Sequence, residues 1–313
     1  MGVTREGVET AAGRIAQHVR VTPVIELAAG AFGGGWVPVL KLEFLQHAGS
    51  FKARGAFNAI LTGPVGAAGV AAASGGNHGA AVAAAARRLG HPARIFVPTI
   101  ASPAKIAAIR RFGAEVTIIG DRFDDAQAAC DEHVGRTGAL RIHPFGAAPT
   151  IEGQGTLFRE WEGQARLDNV VIAVGGGGLI SGAAAWWGGG GPRVLGVEPE
   201  GAATLHAALA AGRPVDVPVN SVAADSLGAR NVGDLVFGLC RGAVERVVLV
   251  SDDAIREAQR VLWREVRIAA EPGGAAALAA LLSGAVTPLP GERVGVLVCG
   301  ANVDLGALAG TLG

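Results

Sequence analysis

A lysine at position 52 is the residue of this sequence whose surroundings most clearly favour chemistry. It follows Ser50, a good N-cap residue, and the residues from Phe51 to Leu61 can run as a helix. Lys52 would lie in the first helical turn, where the helix dipole and the neighbouring Arg54 both disfavour an ammonium group. A lysine with a lowered pKa is a nucleophile that forms Schiff bases with carbonyl carbons. The alternative is a solvated lysine that begins an ordinary helix, and this segment alone favours the alternative.

A run of four glycines follows an apolar segment, residues 170–174, that is predicted to be a buried strand. The glycines are Gly175, Gly176, Gly177 and Gly178, and Leu179 follows them in a predicted helix. Bare backbone N–H groups at a helix N-terminus bind a phosphate dianion. The run lacks both the Gly-Lys-Ser/Thr ending of a Walker loop and the spacing of a dinucleotide fingerprint. It therefore favours a lone phosphate group on a small cofactor, with a close-packing glycine turn as the alternative.

A second flexible turn precedes a predicted helix and, like the glycine run, exposes backbone amides at a helix N-terminus. Its residues are Ser74, Gly75, Gly76, Asn77, His78 and Gly79. Its backbone amides predict a second anion site, for which a substrate carboxylate is the natural occupant. Asn77 offers a donor and an acceptor to a polar ring substituent, and the alternative is a turn residue that tolerates left-handed geometry. His78 could act as a base, but a structural loop histidine is the favoured interpretation.

Composition restricts the class of protein. The 27 basic and 27 acidic residues balance, so no nucleic-acid or anionic-membrane partner is expected. The cysteines are Cys130, Cys240 and Cys299, an odd number that argues against a disulfide framework and for a reducing compartment.

The uncharged segment 169–192 contains two runs of four glycines, which fit a buried strand and helix better than a membrane span. With no apolar signal-peptide core after Met1, we expect a soluble cytoplasmic protein.

Strand-like runs alternate with helical patterns along most of the chain, which predicts parallel sheets covered by helices. Predicted strands cover residues 38–42, 70–73, 94–97, 115–119, 170–174, 194–197, 244–250 and 294–298. Ser102 and Pro103 form an N-cap and N1 pair for a helix to Phe112. We predict an α/β fold of two three-layer domains with mostly parallel sheets. Residues 1–48 and 145–313 would form the large domain and residues 49–144 the small one.

Together, these motifs resemble those of the fold-type II pyridoxal-phosphate enzymes, and among them the threonine/serine dehydratases. The matching segments are residues 50–56, 74–79, 153–156, 175–182, 196–199, 271–275 and 299–304, and they cover about residues 20–305. The resemblance implies a tryptophan-synthase-beta-like fold with the active site in the cleft between the domains. It also implies pyridoxal 5'-phosphate as cofactor, an amino-acid substrate, and a homodimer or homotetramer.

The resemblance assigns a role to each matching residue. Lys52 is expected to hold the cofactor as a Schiff base, and Phe51 to pack near its ring. Asn77 is expected to bond the ring hydroxyl, and residues 175–179 to hold the phosphate. Cys299 is expected to face the pyridine nitrogen. It follows the last predicted strand, and a thiol at that position points into the crevice where such sheets bind ligands. The alternative is that this lone cysteine is a small buried hydrophobic residue.

Further positions concern the substrate and a possible metal site. The resemblance implies that residues 74–78 receive the substrate carboxylate. Gly75 stands where serine racemases carry a proton-donating serine, so little racemase activity is expected. The racemase metal site would here comprise Glu198, Ala202 and Thr204, which lack a second acid, and no metal site is predicted. Ser226 replaces a glycine that many relatives have, which leaves the substrate open.

The sequence therefore predicts dehydration and deamination of L-threonine or L-serine to a 2-oxo acid and ammonia, with Lys52 as general base. A related lyase for a bulkier or modified 3-hydroxy amino acid is the first alternative, because of Ser226 and the lack of tyrosine. A non-catalytic cofactor- or ligand-binding protein is the second. Because the chain ends at Gly313, soon after its last predicted strand, feedback regulation by isoleucine is not expected.

Overall fold

The computed structural model describes residues 2–101 and 103–312, and the strands within them assemble into two sheets. The strands are β1 (Val24–Glu26), β2 (Val37–Leu42), β3 (Val70–Ala73), β4 (Ala93–Val97), β5 (Glu115–Ile118), β6 (Leu140–Arg141), β7 (Asn169–Ala173), β8 (Arg193–Pro199), β9 (Arg246–Val250) and β10 (Arg293–Val298). The larger sheet has the order β1-β2-β10-β7-β8-β9, and the smaller one has the order β5-β4-β3-β6. Neighbouring strands are parallel except for β1 with β2. The predicted α/β class with mostly parallel sheets is confirmed.

Helices connect and cover the strands. They are α1 (Arg5–Ile15), α2 (Lys52–Thr62), α3 (Asn77–Leu89), α4 (Pro103–Arg111), α5 (Phe123–Thr137), α6 (Ala148–Glu162), α7 (Gly178–Trp187), α8 (Thr204–Ala211), α9 (Ala224–Leu227), α10 (Gly233–Cys240), α11 (Asp252–Val266), α12 (Pro272–Leu282) and α13 (Leu305–Leu312). The predicted N-cap Ser102 lies outside the described residues, and α4 ends one residue before the predicted Phe112.

Burial explains why the long uncharged segment is not a membrane span. Every residue of β7 is buried, which is typical of a parallel strand covered on both faces. The glycine run separates β7 from α7, whose apolar residues pack into the core of the larger sheet. No helix in the described part of the chain has both the length and the hydropathy needed to cross a bilayer.

The two sheets have separate hydrophobic cores. Strands between residues 70 and 141 form the smaller sheet, and α2 contributes Phe57 and Ile60 to the core around it. The remaining strands and α12 form the larger core. The division into domains at residues 48/49 and 144/145 stays a prediction.

Three of the motifs follow the carboxyl ends of parallel strands. The turn at residues 74–78 follows β3, the glycine run follows β7, and Cys299 follows β10. Parallel α/β sheets bind ligands at this edge because helix N-termini and strand ends converge there. The fold therefore places these motifs where a ligand would bind.

Candidate active site

Lys52 is the first residue of α2; its side chain is partly buried, and its amine is desolvated by the surrounding protein. Its amine donates a hydrogen bond to the backbone oxygen of Pro144 at 2.9 Å. Burial lowers the pKa of Lys52 to about 8, although Cys299 and Glu271 act in the opposite direction. The Phe51 ring lies beside the amine, with its centroid 5.1 Å from Nζ. Lys52 is therefore much closer to the neutral, nucleophilic form than an exposed lysine is.

The sequence predicts that Arg54 lowers the pKa of Lys52, but in the structure Arg54 does not contribute to that shift. Its guanidinium points away into a buried ion pair, with Nε 2.7 Å from Glu43 and Nη2 2.8 Å from Glu160. Lys41 binds the other oxygen of Glu160 at 2.5 Å. Two cations and two carboxylates thus join the first turn of α2 to the larger sheet and to α6, and burial is the main cause of the shifted Lys52 pKa.

Breaking this buried network should destabilise the fold. We expect Glu43→Gln to lower the free energy of unfolding by about 3 kcal/mol, because it leaves the buried charge of Arg54 poorly compensated. Urea unfolding measures this change. Glu9→Gln is the matched control, since Glu9 forms an exposed ion pair with Arg159 that should contribute less than about 1 kcal/mol. Equal effects of the two substitutions would contradict the prediction.

Ser50 does not cap α2. Phe51 occupies the N-cap position, while Ser50 is extended and pairs with Gly300 in an antiparallel bridge. The backbone N–H of Phe51 donates to the oxygen of Cys299 at 3.1 Å, which holds this segment against the end of β10. The Ser50 hydroxyl is consequently buried and has no hydrogen-bond partner among the described residues.

Asn77 begins α3 and lies between two polar side chains. Its Nδ2 donates to Oε1 of Glu271 at 2.5 Å, and its Oδ1 accepts from Nδ2 of Asn302 at 2.7 Å. Burial raises the pKa of Glu271, and the hydrogen bond from Asn77 opposes that shift. Glu271 takes one of the two N–H groups of Asn77, and the second N–H is left to donate to a ligand.

The other residues of this turn have mainly backbone and packing contacts. The Ser74 hydroxyl accepts from the Gly76 N–H at 3.2 Å. His78 is buried and its Nε2 donates to the oxygen of Ile142 at 2.9 Å, while burial lowers its pKa to about 3. The His78 ring therefore stays neutral and hydrogen-bonded to Ile142, which agrees with its interpretation as a structural loop histidine. A Cβ at Gly75 would lie 2.7 Å from Cβ of Ala101, so a serine there would require this turn to shift.

The glycine run, residues 175–178, is both a close-packed turn and a source of free backbone amides, the two interpretations that the sequence allowed. A Cβ at Gly176 would lie 2.2 Å from the Phe145 ring, and one at Gly175 would lie 2.8 Å from Cα of Leu227. Gly177 has a φ of +78°, which favours glycine. Within the described residues, the backbone N–H groups of residues 176–179 donate to no other residue. Close packing thus requires glycine, and the same turn leaves its amides free at the N-terminus of α7.

Cys299 is a buried, neutral thiol. Its Sγ donates to the oxygen of Gly273 at 3.5 Å, and burial together with the nearby Glu271 raises its pKa. Ser226 also lies beside Gly273, since a Cβ at Gly273 would be 2.2 Å from the Ser226 hydroxyl. Ser226 therefore neighbours the same part of the site.

The loops from the two sheets also meet at the edge of the site. A Cβ at Gly76 would lie 3.3 Å from the backbone oxygen of Asp225. The carboxylate of Asp225 forms an ion pair with Lys105 of α4 at 2.6 Å. These contacts join the small-sheet turn to the segment that precedes Ser226.

Glu198, the acid among the three residues of the expected metal position, accepts hydrogen bonds from backbone amides. Its two oxygens accept from the backbone N–H groups of Leu205 and His206, both at 2.8 Å, at the start of α8. Burial raises its pKa to about 7. The hydroxyl of Thr204 donates to the oxygen of Ala229 at 2.7 Å. The carboxylate is already occupied by amides, so it is poorly placed to bind a cation.

We therefore expect divalent cations to have no effect on activity or stability. Neither added Mg²⁺ or Ca²⁺ nor treatment with a chelator should change the rate of product formation or the midpoint of thermal unfolding. A cation-dependent rise in either quantity would contradict this expectation.

These groups fit pyridoxal phosphate. A buried lysine of lowered pKa provides the amine for the aldehyde, and the free amides of the glycine run suit the phosphate. The remaining N–H of Asn77 suits the ring hydroxyl, and the neutral Cys299 thiol suits a pyridine nitrogen. The unpartnered Ser50 hydroxyl adds a polar group with hydrogen-bonding capacity to spare.

Comparison with known proteins defines the class. The family model described as "Pyridoxal-phosphate dependent enzyme" matches residues 15–300, and the chain belongs to this family. It has the type II fold of that family, and its cofactor is pyridoxal phosphate.

Individual relatives narrow the class to the threonine dehydratase and serine racemase family. The chain is 42% identical over 308 residues to a phenylserine dehydratase of Ralstonia pickettii, covering 96% of this chain and 93% of that protein. It is 38% identical to the biosynthetic L-threonine dehydratase of Escherichia coli K12, covering 93% of this chain and 58% of the relative. The structure of maize serine racemase superposes with a TM-score of 0.92 at 34% identity, covering 100% of this chain and 97% of that one.

Two residues of the site had no role in the sequence analysis. Glu271 and Asn302 were part of matching segments, but nothing in their local sequence indicates a contact with Asn77. Only their positions could have indicated a place in the site: Asn302 follows the last strand, and Glu271 precedes the proline that begins α12.

Proposed function

We propose that this enzyme removes water from a 3-hydroxy amino acid and releases a 2-oxo acid and ammonia. The observation that carries the proposal is the buried amine of Lys52, which has a pKa of about 8 and lies among groups that fit the cofactor. L-threonine and L-serine are the first candidate substrates.

The contacts of the residues support the roles that we propose for them. Residues 175–179 hold the cofactor phosphate, Asn77 donates to the ring hydroxyl, and Phe51 packs beside the ring. Residues 74–78, namely Ser74, Gly75, Gly76, Asn77 and His78, receive the substrate carboxylate mainly through backbone amides, since the His78 ring is engaged by Ile142. The site lies in the cleft between the two proposed domains.

Pyridoxal phosphate supplies an electron-accepting ring for the pair left on the substrate Cα. The neutral amine of Lys52 removes the Cα proton, and the resulting ammonium can return a proton to the departing β-hydroxyl. The released enamine takes up water and loses ammonia to give the 2-oxo acid. Cys299, as a neutral thiol, stabilises a protonated ring nitrogen much less than a carboxylate would, which favours rapid loss of the β-hydroxyl over transamination.

A bulkier substrate is the second candidate. The 42% identity to a phenylserine dehydratase favours a 3-hydroxy amino acid with an aryl group, and Ser226 beside Gly273 leaves the substrate preference open. A cytoplasmic location and a homodimer or homotetramer stay predictions.

A panel assay separates these candidates. Release of 2-oxo acid is measured with L-serine, L-threonine and 3-phenylserine, and kcat/KM decides the preferred substrate. Formation of D-serine from L-serine is followed in parallel and should be slow, because Gly75 provides no acid. Product from none of the substrates, with cofactor bound, would favour a non-catalytic binding protein.

A further inference from the structure

Asn302 connects the lysine-bearing segment to the turn that contains Asn77. Its Nδ2 donates to the backbone oxygen of Ala48 at 2.7 Å and to Oδ1 of Asn77 at 2.7 Å. A carboxamide nitrogen has two N–H groups, so both are used. If the amide were turned over, its oxygen would face two other oxygens. The orientation of Asn302 is therefore determined by its partners.

The orientation of Asn77 follows from that of Asn302. Since Oδ1 of Asn77 accepts from Asn302, its Nδ2 faces Glu271, where Oε1 accepts at 2.5 Å. Glu271 is buried at 5% exposure, and its backbone N–H donates to the oxygen of Gly300 at 3.3 Å, which fixes its main chain beside the end of β10. One N–H of Asn77 then remains for a ligand.

We propose that Asn302 and Glu271 are positioning residues that fix the Asn77 carboxamide with its nitrogen, not its oxygen, available to the cofactor. The inference rests on the proposed role of Asn77 toward the ring hydroxyl. A donor at that position stabilises the ionised ring oxygen, whereas an acceptor would stabilise the protonated one. The balance between the two ring forms is visible in the absorbance spectrum.

Asn302→Asp tests the inference with little change in shape. It replaces both N–H donors by an acceptor, so the Asn77 amide loses the partner that sets its orientation. We expect absorbance to move from the visible band toward the near ultraviolet. We also expect the apparent Kd for pyridoxal phosphate to rise about tenfold, the size expected for losing one hydrogen bond to a charged group. Asn220→Asp makes the same change at an exposed asparagine and should alter neither quantity.

A double-mutant cycle distinguishes positioning from general destabilisation. Asn77→Ala should shift the spectrum in the same direction, and adding Asn302→Asp to it should produce little further shift, because both act through one hydrogen bond. Glu271→Gln should shift the spectrum less than Glu271→Leu, since a glutamine oxygen still accepts from Asn77. Asn302→Ala provides a second variant if Asn302→Asp does not fold.

A wild-type spectrum in both Asn302 variants, or full additivity with Asn77→Ala, would overturn the inference. These spectra are read without substrate. Failure of the proposed function is seen separately, as wild-type protein that binds the cofactor but releases no 2-oxo acid.

Discussion

Replacing Lys52 with alanine should abolish activity and the visible absorbance of bound cofactor. Unlike the Lys41 amine, which is paired with Glu160, its amine has no carboxylate partner within the described part of the chain and has a pKa lowered to about 8 by burial. The free amides of the glycine run and the neutral thiol of Cys299 complete the proposed site. Loss of both the covalent link and the general base should reduce kcat by about 10³-fold or more. The release of 2-oxo acid and the visible spectrum of the purified protein measure the two effects.

The small number of lysines makes this experiment specific. The chain contains three, Lys41, Lys52 and Lys105, so peptide mapping after borohydride reduction identifies the tagged residue without ambiguity. Lys52→Arg is the matched variant, because it keeps the positive charge but forms no Schiff base. A borohydride tag on Lys41 or Lys105 in the wild type, or full activity in Lys52→Ala, would refute the assignment.

A single methyl group on the glycine run should weaken cofactor binding strongly. In Gly176→Ala the new Cβ would lie 2.2 Å from the Phe145 ring, so either the ring or the loop must move. Movement of the loop displaces the amides proposed to hold the phosphate, and movement of Phe145 disturbs Pro144, whose oxygen accepts from Lys52. We expect the apparent Kd for pyridoxal phosphate to rise about 100-fold and the unfolding free energy to fall by about 1–3 kcal/mol.

The second glycine run provides the control. Gly190→Ala changes a glycine of the exposed turn after α7, where the nearest atom to the new Cβ, the backbone oxygen of Trp187, is 3.6 Å away. Its cofactor affinity and stability should match the wild type. If Gly176→Ala bound the cofactor as tightly as Gly190→Ala does, the glycine run would not be the phosphate site.

Both experiments test motifs that the sequence alone made visible. The alternation of apolar strands and helices predicted the parallel sheets, because buried parallel strands need continuous apolar runs. The strands β1 and β6 were missed, since segments of three and two residues carry too little pattern to detect. The glycine run and the turn at residues 74–78 stood out because their chemistry is local: bare amides ahead of a helix.

Contacts between distant residues were the part that sequence could not supply. Ser50 has the composition of a helix cap, yet its bridge to Gly300 keeps it extended and leaves Phe51 in the cap position. Arg54 is two residues from Lys52, yet its guanidinium is held by Glu43 and Glu160. For Ser50, tertiary hydrogen bonds outweighed a capping preference worth about 1 kcal/mol. For Arg54, a buried ion pair fixed the direction of the guanidinium.

The sequence by itself determined the kind of fold, because the alternation of strands and helices is a local pattern. It also indicated the cofactor and the lysine expected to bind it, through short motifs whose combination resembles a known family. Only the tertiary structure decided the orientation of Asn77, which is held by Glu271 and Asn302 at separations of 194 and 225 residues. The physical reason is that a carboxamide presents either a donor or an acceptor according to its partners, and those partners become neighbours only when the two sheets pack.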